Sequence, residues 1–131
     1  MFIQLKFDSE VPIYEQIKQQ IKIGMAKGTL QPGERLPSVR QLAKDIGINL
    51  HTVNKAYQQL RDENFLLIHR QRGVVIHPDG APKTDEIHKE TLKAELAPII
   101  ADAFCREMSE NDFLSVCYEI FKEMKGGSSD G

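Results

Sequence analysis

Leu36 to Leu67 reads L-P-S-V-R-Q-L-A-K-D-I-G-I-N-L-H-T-V-N-K-A-Y-Q-Q-L-R-D-E-N-F-L-L, and the reading of this stretch decides the fold. Val39, Leu42, Ala43 and Ile46 fall at i, i+3, i+4 and i+7, and Val53, Ala56, Tyr57 and Leu60 repeat that spacing. Each segment therefore predicts a short helix that buries one apolar stripe. Ser38 with Gln41 three residues on forms a candidate capping box, and Asn49 can accept from the unpaired amides that open the second helix. Gly47 supplies the tight turn between the two.

A short helix pair with a glycine in its turn is a helix-turn-helix pattern. At about 100° per residue, the face of the second helix opposite its buried stripe carries His51, Asn54, Lys55 and Gln58. These are donors and acceptors of the kind that reach base edges and phosphates, and none is acidic. A polar outer face is also the ordinary solvated side of an amphipathic helix, so the flanking sequence has to weigh between the two.

With 131 residues the chain holds one domain and a smaller element. Its 40% hydrophobic and 27% charged residues are ordinary for a soluble protein. No apolar run approaches the ~18 residues of a membrane span, and the start lacks a signal-peptide pattern, which together predict a cytoplasmic protein with no membrane partner. Cys105 and Cys117 have no metal-like spacing and read as buried thiols in a reducing compartment. No metal and no cofactor is expected. The net charge of −2 is unevenly spread. Residues 1–78 hold 11 Lys and Arg against 7 Asp and Glu, and residues 79–131 hold 6 against 12. A basic front and an acidic back fit a chain whose first part meets a polyanion.

Ahead of the helix pair, residues 1–11 alternate apolar and polar as a short strand or extended arm would, and Pro12 suits the first turn of a helix. Ile13, Tyr14, Ile17 and Ile21 mark that helix's buried stripe, and Gly28 stops it. Gly28 and Gly33 have the spacing of a phosphate-binding loop, but Glu34-Arg35 stand where Lys and Ser/Thr are required, which rejects a nucleotide site. Behind the pair, Phe65–Ile68 and Val74–Ile76 predict a hairpin with Gln71, Arg72 and Gly73 at its tip. Arg70 and Arg72 on such a wing can lie on phosphates or dip into a minor groove, although charged hairpin tips also serve solubility.

His77 to Thr84 is turn-rich, and helical periodicity returns from about Asp85. Leu92, Leu96, Ile99, Ile100, Ala103 and Phe104 form one stripe, and Phe113, Cys117, Ile120, Phe121 and Met124 another, with Pro98 predicting a kink or break. Two helices of roughly 40 residues cannot enclose a core alone. A second copy of the chain is the favoured cover, through Leu92, Leu96, Ile99, Ile100, Phe104, Phe113, Cys117, Ile120, Phe121 and Met124. Packing back on the same chain is the alternative.

The stretches P-I-Y-E-Q-I (12–17), G-T-L-Q-P-G-E-R-L-P-S-V-R-Q-L-A (28–43), G-I-N-L-H-T-V-N-K-A-Y-Q-Q-L (47–60) and R-G-V-V-I (72–76) resemble the GntR-type winged helix-turn-helix. The short two-helix tail is similar to the YtrA subfamily. The resemblance implies a mainly α fold with a small β-hairpin wing: a winged helix-turn-helix over 1–78, a linker over 79–84, a helical dimerisation region over 85–125 and a disordered tail over 126–131. It implies a homodimeric, sequence-specific transcriptional regulator, a repressor, binding a pseudo-palindromic site in double-stranded DNA. By position it implies DNA contacts for Arg40, Asn49, His51, Thr52, Asn54 and Gly73. The helical face adds Lys55, the wing adds Arg70 and Arg72, and Arg35 and Ser38 fall close to the DNA backbone. Asn49-Leu50-His51 replaces the Ser/Thr-Arg of many members, so no operator sequence transfers.

Two other classes of function compete with this reading. An effector or metal sensor would use the acidic tail helices, where His88, Glu90, Glu95, Asp102 and Glu107 are the available ligands, but no His-x-x-x-His or Cys-x-x-Cys spacing organises them. An unknown small-molecule effector between the tail helices stays open. An enzyme is not expected, because no nucleophile-base or paired-carboxylate arrangement is recognisable.

Overall fold

Helix α1, Ile13–Lys27, starts directly behind Pro12, whose carbonyl accepts the first helical hydrogen bond from the Gln16 amide at 3.0 Å. Pro12 is thus the cap residue and not part of the first turn. A computed structural model describes residues 3–128. Gly28 ends α1 at φ 81°, a left-handed conformation that suits a residue without Cβ. Helices α2, Val39–Ile46, and α3, Leu50–Asp62, follow as the predicted pair, joined by Gly47 at φ 67°. Strands β1, Leu66–His69, and β2, Gly73–Ile76, pair antiparallel with Leu66 opposite Ile76 and His69 opposite Gly73.

The core forms where the three helices and the hairpin meet. Ile17 and Ile21 of α1, Leu42 of α2, Val53, Ala56, Tyr57 and Leu60 of α3, and Leu66 and Ile76 of the sheet are fully buried. Each of the larger side chains contributes about 1.5–3 kcal/mol by leaving water. Every residue of the α3 stripe is inside, so this helix cannot rotate without exposing apolar surface. That fixes which face it turns outward.

Two attachments have no periodic signal. The loop before α2 joins the sheet: the Leu36 amide donates to the Val74 carbonyl at 2.8 Å, the Ile76 amide to the Glu34 carbonyl at 2.8 Å, and Arg35 forms a bridge with Val75. The N-terminal arm lies along α1 through two glutamines. Buried Gln16 accepts from the Lys6 amide at 2.8 Å and donates to the carbonyls of Lys6 and Val11, both 2.9 Å, while Gln20 pairs with the backbone of Gln4 in the same two-pronged way. The arm is therefore held on α1 without being a strand, and it turns where the Ser9 amide donates to the Lys6 carbonyl at 3.3 Å.

Helices α4, Glu86–Cys105, and α5, Glu110–Ser128, form the tail. Helix α4 runs through Pro98 as one helix, so of the kink or break expected there the break does not occur, and Ser109 caps α5 by accepting from the Asp112 amide at 3.1 Å. Helix α5 extends through Ser128, and residues 129–131 of the expected disordered tail lie outside the described residues. Helix α5 packs against α1 of its own chain. Leu92, Ile99, Ile100, Phe104, Ile120 and Phe121 remain exposed, and Leu96, Phe113, Cys117 and Met124 are half-buried. Of the two thiols expected to be buried, Cys105 is exposed and Cys117 half-buried, because the apolar face that carries them is uncovered in one chain.

Candidate nucleic-acid interface

The α3 helix begins at a cap that uses one of the candidate residues. Asn49 Oδ1 accepts from the His51 amide at 2.7 Å, so its oxygen is engaged and its amide NH2 is what it can offer a phosphate. His51 and Asn54 are exposed, Thr52 is half-buried, and Gln58 is half-buried further along the same helix. Lys55 is exposed too, but its ammonium stands 3.9 Å from the centre of the Tyr14 ring of α1. That cation–π contact holds the charge at the junction of two helices, where the ring face attracts it.

Helix α2 presents Ser38 and Arg40 at its start, both exposed. Ser38 Oγ accepts from the Gln41 amide at 3.1 Å, but the Gln41 side chain donates to Asp45 at 2.6 Å. Only half of the expected capping box forms, because the Gln41 side chain turns one helical turn on to Asp45 and not back to the Ser38 amide, from which its oxygen would have to accept. The buried end of α3 is tied to the same loop: Tyr57 Oη donates to the Pro37 carbonyl at 2.8 Å. Burial pushes the Tyr57 phenol well above its ordinary value, so it remains a donor.

The wing carries three of the remaining candidates. Arg70 and Arg72 are exposed in the three-residue loop between β1 and β2, and Gly73 opens β2 at φ 76°. A Cβ on Gly73 would meet the Arg35 guanidinium at 3.7–3.8 Å. The Arg35 guanidinium is thereby brought beside the tip of the wing, a placement its position in a loop did not announce. Sequence reasoning missed His69, whose Nδ1 accepts from the Gln71 and Arg72 amides, each at 3.2 Å. Its position at a strand end beside a basic turn was the available signal.

Away from this face, Lys18 of α1 is buried and donates to Glu63 at 2.6 Å and Gln59 at 2.9 Å, with Lys22 at 3.0 Å from the same carboxylate. Burial pushes the Glu63 carboxyl up, but the hydrogen bonds and charges of Lys18 and Lys22 outweigh it and hold the group below its ordinary value. In the tail, His88 Nδ1 lies 2.7 Å from Thr84 Oγ1 and Asp102 pairs with Arg106 at 3.0 Å. Among the described residues, no three His, Cys, Asp or Glu side chains gather as a metal site would require, and no helix is long and apolar enough to cross a membrane.

Comparison with known proteins agrees with this geometry. The family model described as bacterial regulatory proteins, gntR family, matches residues 13–76. The chain is 37% identical over 128 residues to the HTH-type transcriptional repressor YtrA of Bacillus subtilis, covering 98% of each. Among solved structures, it superposes on a transcriptional antiterminator from Listeria monocytogenes with a TM-score of 0.87 at 28% identity, covering 95% of this chain and 92% of that one. YtrA from Sulfolobus acidocaldarius, a GntR-family transcription factor, is 36% identical with a TM-score of 0.55, covering 92% and 97%.

Proposed function

The chain belongs to the gntR family of bacterial regulatory proteins and is a DNA-binding transcriptional regulator, not an enzyme; from that premise we propose that it acts as a homodimeric repressor on a pseudo-palindromic operator. Each copy lays α3 in a major groove, with half-sites about 34 Å apart or a multiple of that. His51 and Asn54 read base edges, while Thr52, Lys55, Arg40, Ser38 and the Asn49 amide position the helix on phosphates. Arg70, Arg72, Arg35 and Gly73 bring the wing to the adjoining backbone or minor groove. Repression follows from occupying promoter DNA in the cytoplasm, in competition with polymerase.

One observation carries this reading: Val53, Ala56, Tyr57 and Leu60 have no solvent exposure, while His51, Asn54 and Lys55 on the same helix face outward. The dimer is supported by the uncovered apolar surface of the tail, where Phe104 is 78% and Ile99 56% exposed. A soluble monomer seldom leaves so many large apolar side chains contiguous on its surface. The apolar groove of about 640 Å³ between α4 and α5, lined by Leu96, Ile100, Phe104, Phe113 and Leu114, favours a second reading in which a small apolar effector enters there and shifts DNA affinity.

Immunoprecipitation of the protein with its chromosomal DNA identifies the operator fragment, and fluorescence anisotropy then measures affinity for it. Asn54→Ala is expected to weaken specific binding by about 1–3 kcal/mol and leave binding to unrelated duplex little changed. Equal affinity of wild type and variant for the operator would sink the assignment of α3 as the reading helix.

A further inference from the structure

The tip of the wing is built around a side chain that no DNA-contact reading uses. His69 ends β1 and pairs across the hairpin with Gly73, leaving Arg70, Gln71 and Arg72 as the turn. The Gln71 and Arg72 amides both donate to His69 Nδ1, each at 3.2 Å. Nδ1 can accept only when it carries no proton, so the arrangement requires a neutral ring with its proton on Nε2.

The same local device recurs among the described residues, with a histidine and an asparagine as acceptors. His77 Nδ1 accepts from the Asp79 amide at 3.1 Å, and Asn49 Oδ1 accepts from the His51 amide at 2.7 Å. In all three the side chain takes an amide two residues ahead and stabilises a tight turn without a strand partner. Asparagine and histidine are thus interchangeable acceptors for this geometry, because Oδ1 and Nδ1 sit at the same distance along the side chain.

We propose that His69 is the positioning residue of the wing: by accepting the Gln71 and Arg72 amides it fixes the turn that presents Arg70 and Arg72 to DNA. The proposal rests on the reading, made above, that the wing meets DNA. An exposed three-residue turn with two long cationic side chains otherwise samples many conformations, and each must be surrendered on binding. A turn ordered beforehand avoids that loss at the moment of association.

The test uses the full-length protein and a labelled duplex carrying the chromosomal fragment recovered with it. The double variant Arg70→Ala/Arg72→Ala reports on the wing itself, and His69→Ala and His69→Asn report on the positioning role. The expected result is weaker binding by the double variant, about fivefold weaker binding by His69→Ala, the factor one ordinary hydrogen bond is worth, and His69→Asn close to wild type. Loss of affinity in the double variant with His69→Ala at wild-type affinity overturns the positioning role alone. Wild-type affinity in the double variant overturns the wing reading and this proposal with it. Failure of His69→Asn to restore what His69→Ala loses also overturns the proposal, since the acceptor would then be irrelevant. Independently of DNA, nitrogen NMR of the free protein at neutral pH should show the His69 ring protonated at Nε2 and slowed exchange of the Gln71 and Arg72 amides. A ring protonated at Nδ1 would contradict the geometry outright.

Discussion

At Tyr57 the buried side of α3 ends in a hydroxyl that donates to the Pro37 carbonyl, 2.8 Å away. The ring is inside the core and the bond ties α3 to the loop that opens α2, so one residue sets the spacing of the helix pair. Tyr57→Phe keeps the ring and strands the carbonyl. It should cost about 1–2 kcal/mol in chemical denaturation with little change in the folded spectrum. Lys55 is the complementary case on the outer side. The helical period alone turned it outward, but its charge is held over the Tyr14 ring, a contact between two helices that spacing within one helix cannot reveal. If the stacked ammonium still reaches a phosphate, Lys55→Ala should weaken binding to all sequences alike and lower the slope of log affinity against log salt by about 1. An unchanged slope would show that Tyr14, and not DNA, is its partner.

The elements obey local rules wherever consecutive residues carry the information. Asn49 is legible as the cap of α3 because the residues after it begin an apolar period, and its Oδ1 accepts from the His51 amide as expected. Asp85 and Ser109 cap α4 and α5 in a similar way, each accepting the amide three residues on. The α4–α5 turn does not: Glu107 sits at φ 63°, a left-handed conformation that costs a residue with a Cβ about 1–2 kcal/mol. Glu107→Gly relieves that cost but adds entropy to the unfolded chain, so a net gain of about 0.5–1 kcal/mol is expected. Thermal unfolding of the variant against wild type decides it, and a lower midpoint would mean that Glu107 makes an offsetting contact. The loop from Gly33 to Leu36 was equally illegible as a partner of β2, because a single bridge at Arg35 leaves no alternation to read.

At the scale of the whole molecule, the DNA-binding part is held by an ion cluster and the tail offers an uncovered surface. The Glu63 carboxyl titrates below its ordinary value of 4.5 in the folded chain. Its contribution is therefore complete above that pH and is lost as pH falls through the lower, folded value. Thermal stability should decline in that acid range, and Glu63→Gln should flatten this part of the profile. At neutral pH the same variant should cost only about 1 kcal/mol, since Glu63 is 39% exposed and water can replace part of what Lys18 loses. For the tail, Phe104→Asp places a charge on a side chain that is 78% exposed in the single chain, so its fold should survive. If the proposed dimer forms through this stripe, sedimentation should show dimers of the wild type and monomers of the variant, and operator affinity should fall because the second half-site is no longer tethered. A dimer that persists would move the interface off this stripe.

The sequence by itself determined the helix pair with Ser38 and Asn49 at its caps, the wing and the outward face of α3, because each of these is a pattern among neighbours that a period or a turn residue encodes. Only the tertiary structure decided that Lys18 is buried against Glu63, that Gln16 and Gln20 hold the arm, that the Arg35 guanidinium lies beside Gly73 of the wing, and that α5 lies against α1. These contacts join residues distant along the chain. Their free energy depends on a geometry that exists only after the core has closed, so no local pattern could carry them.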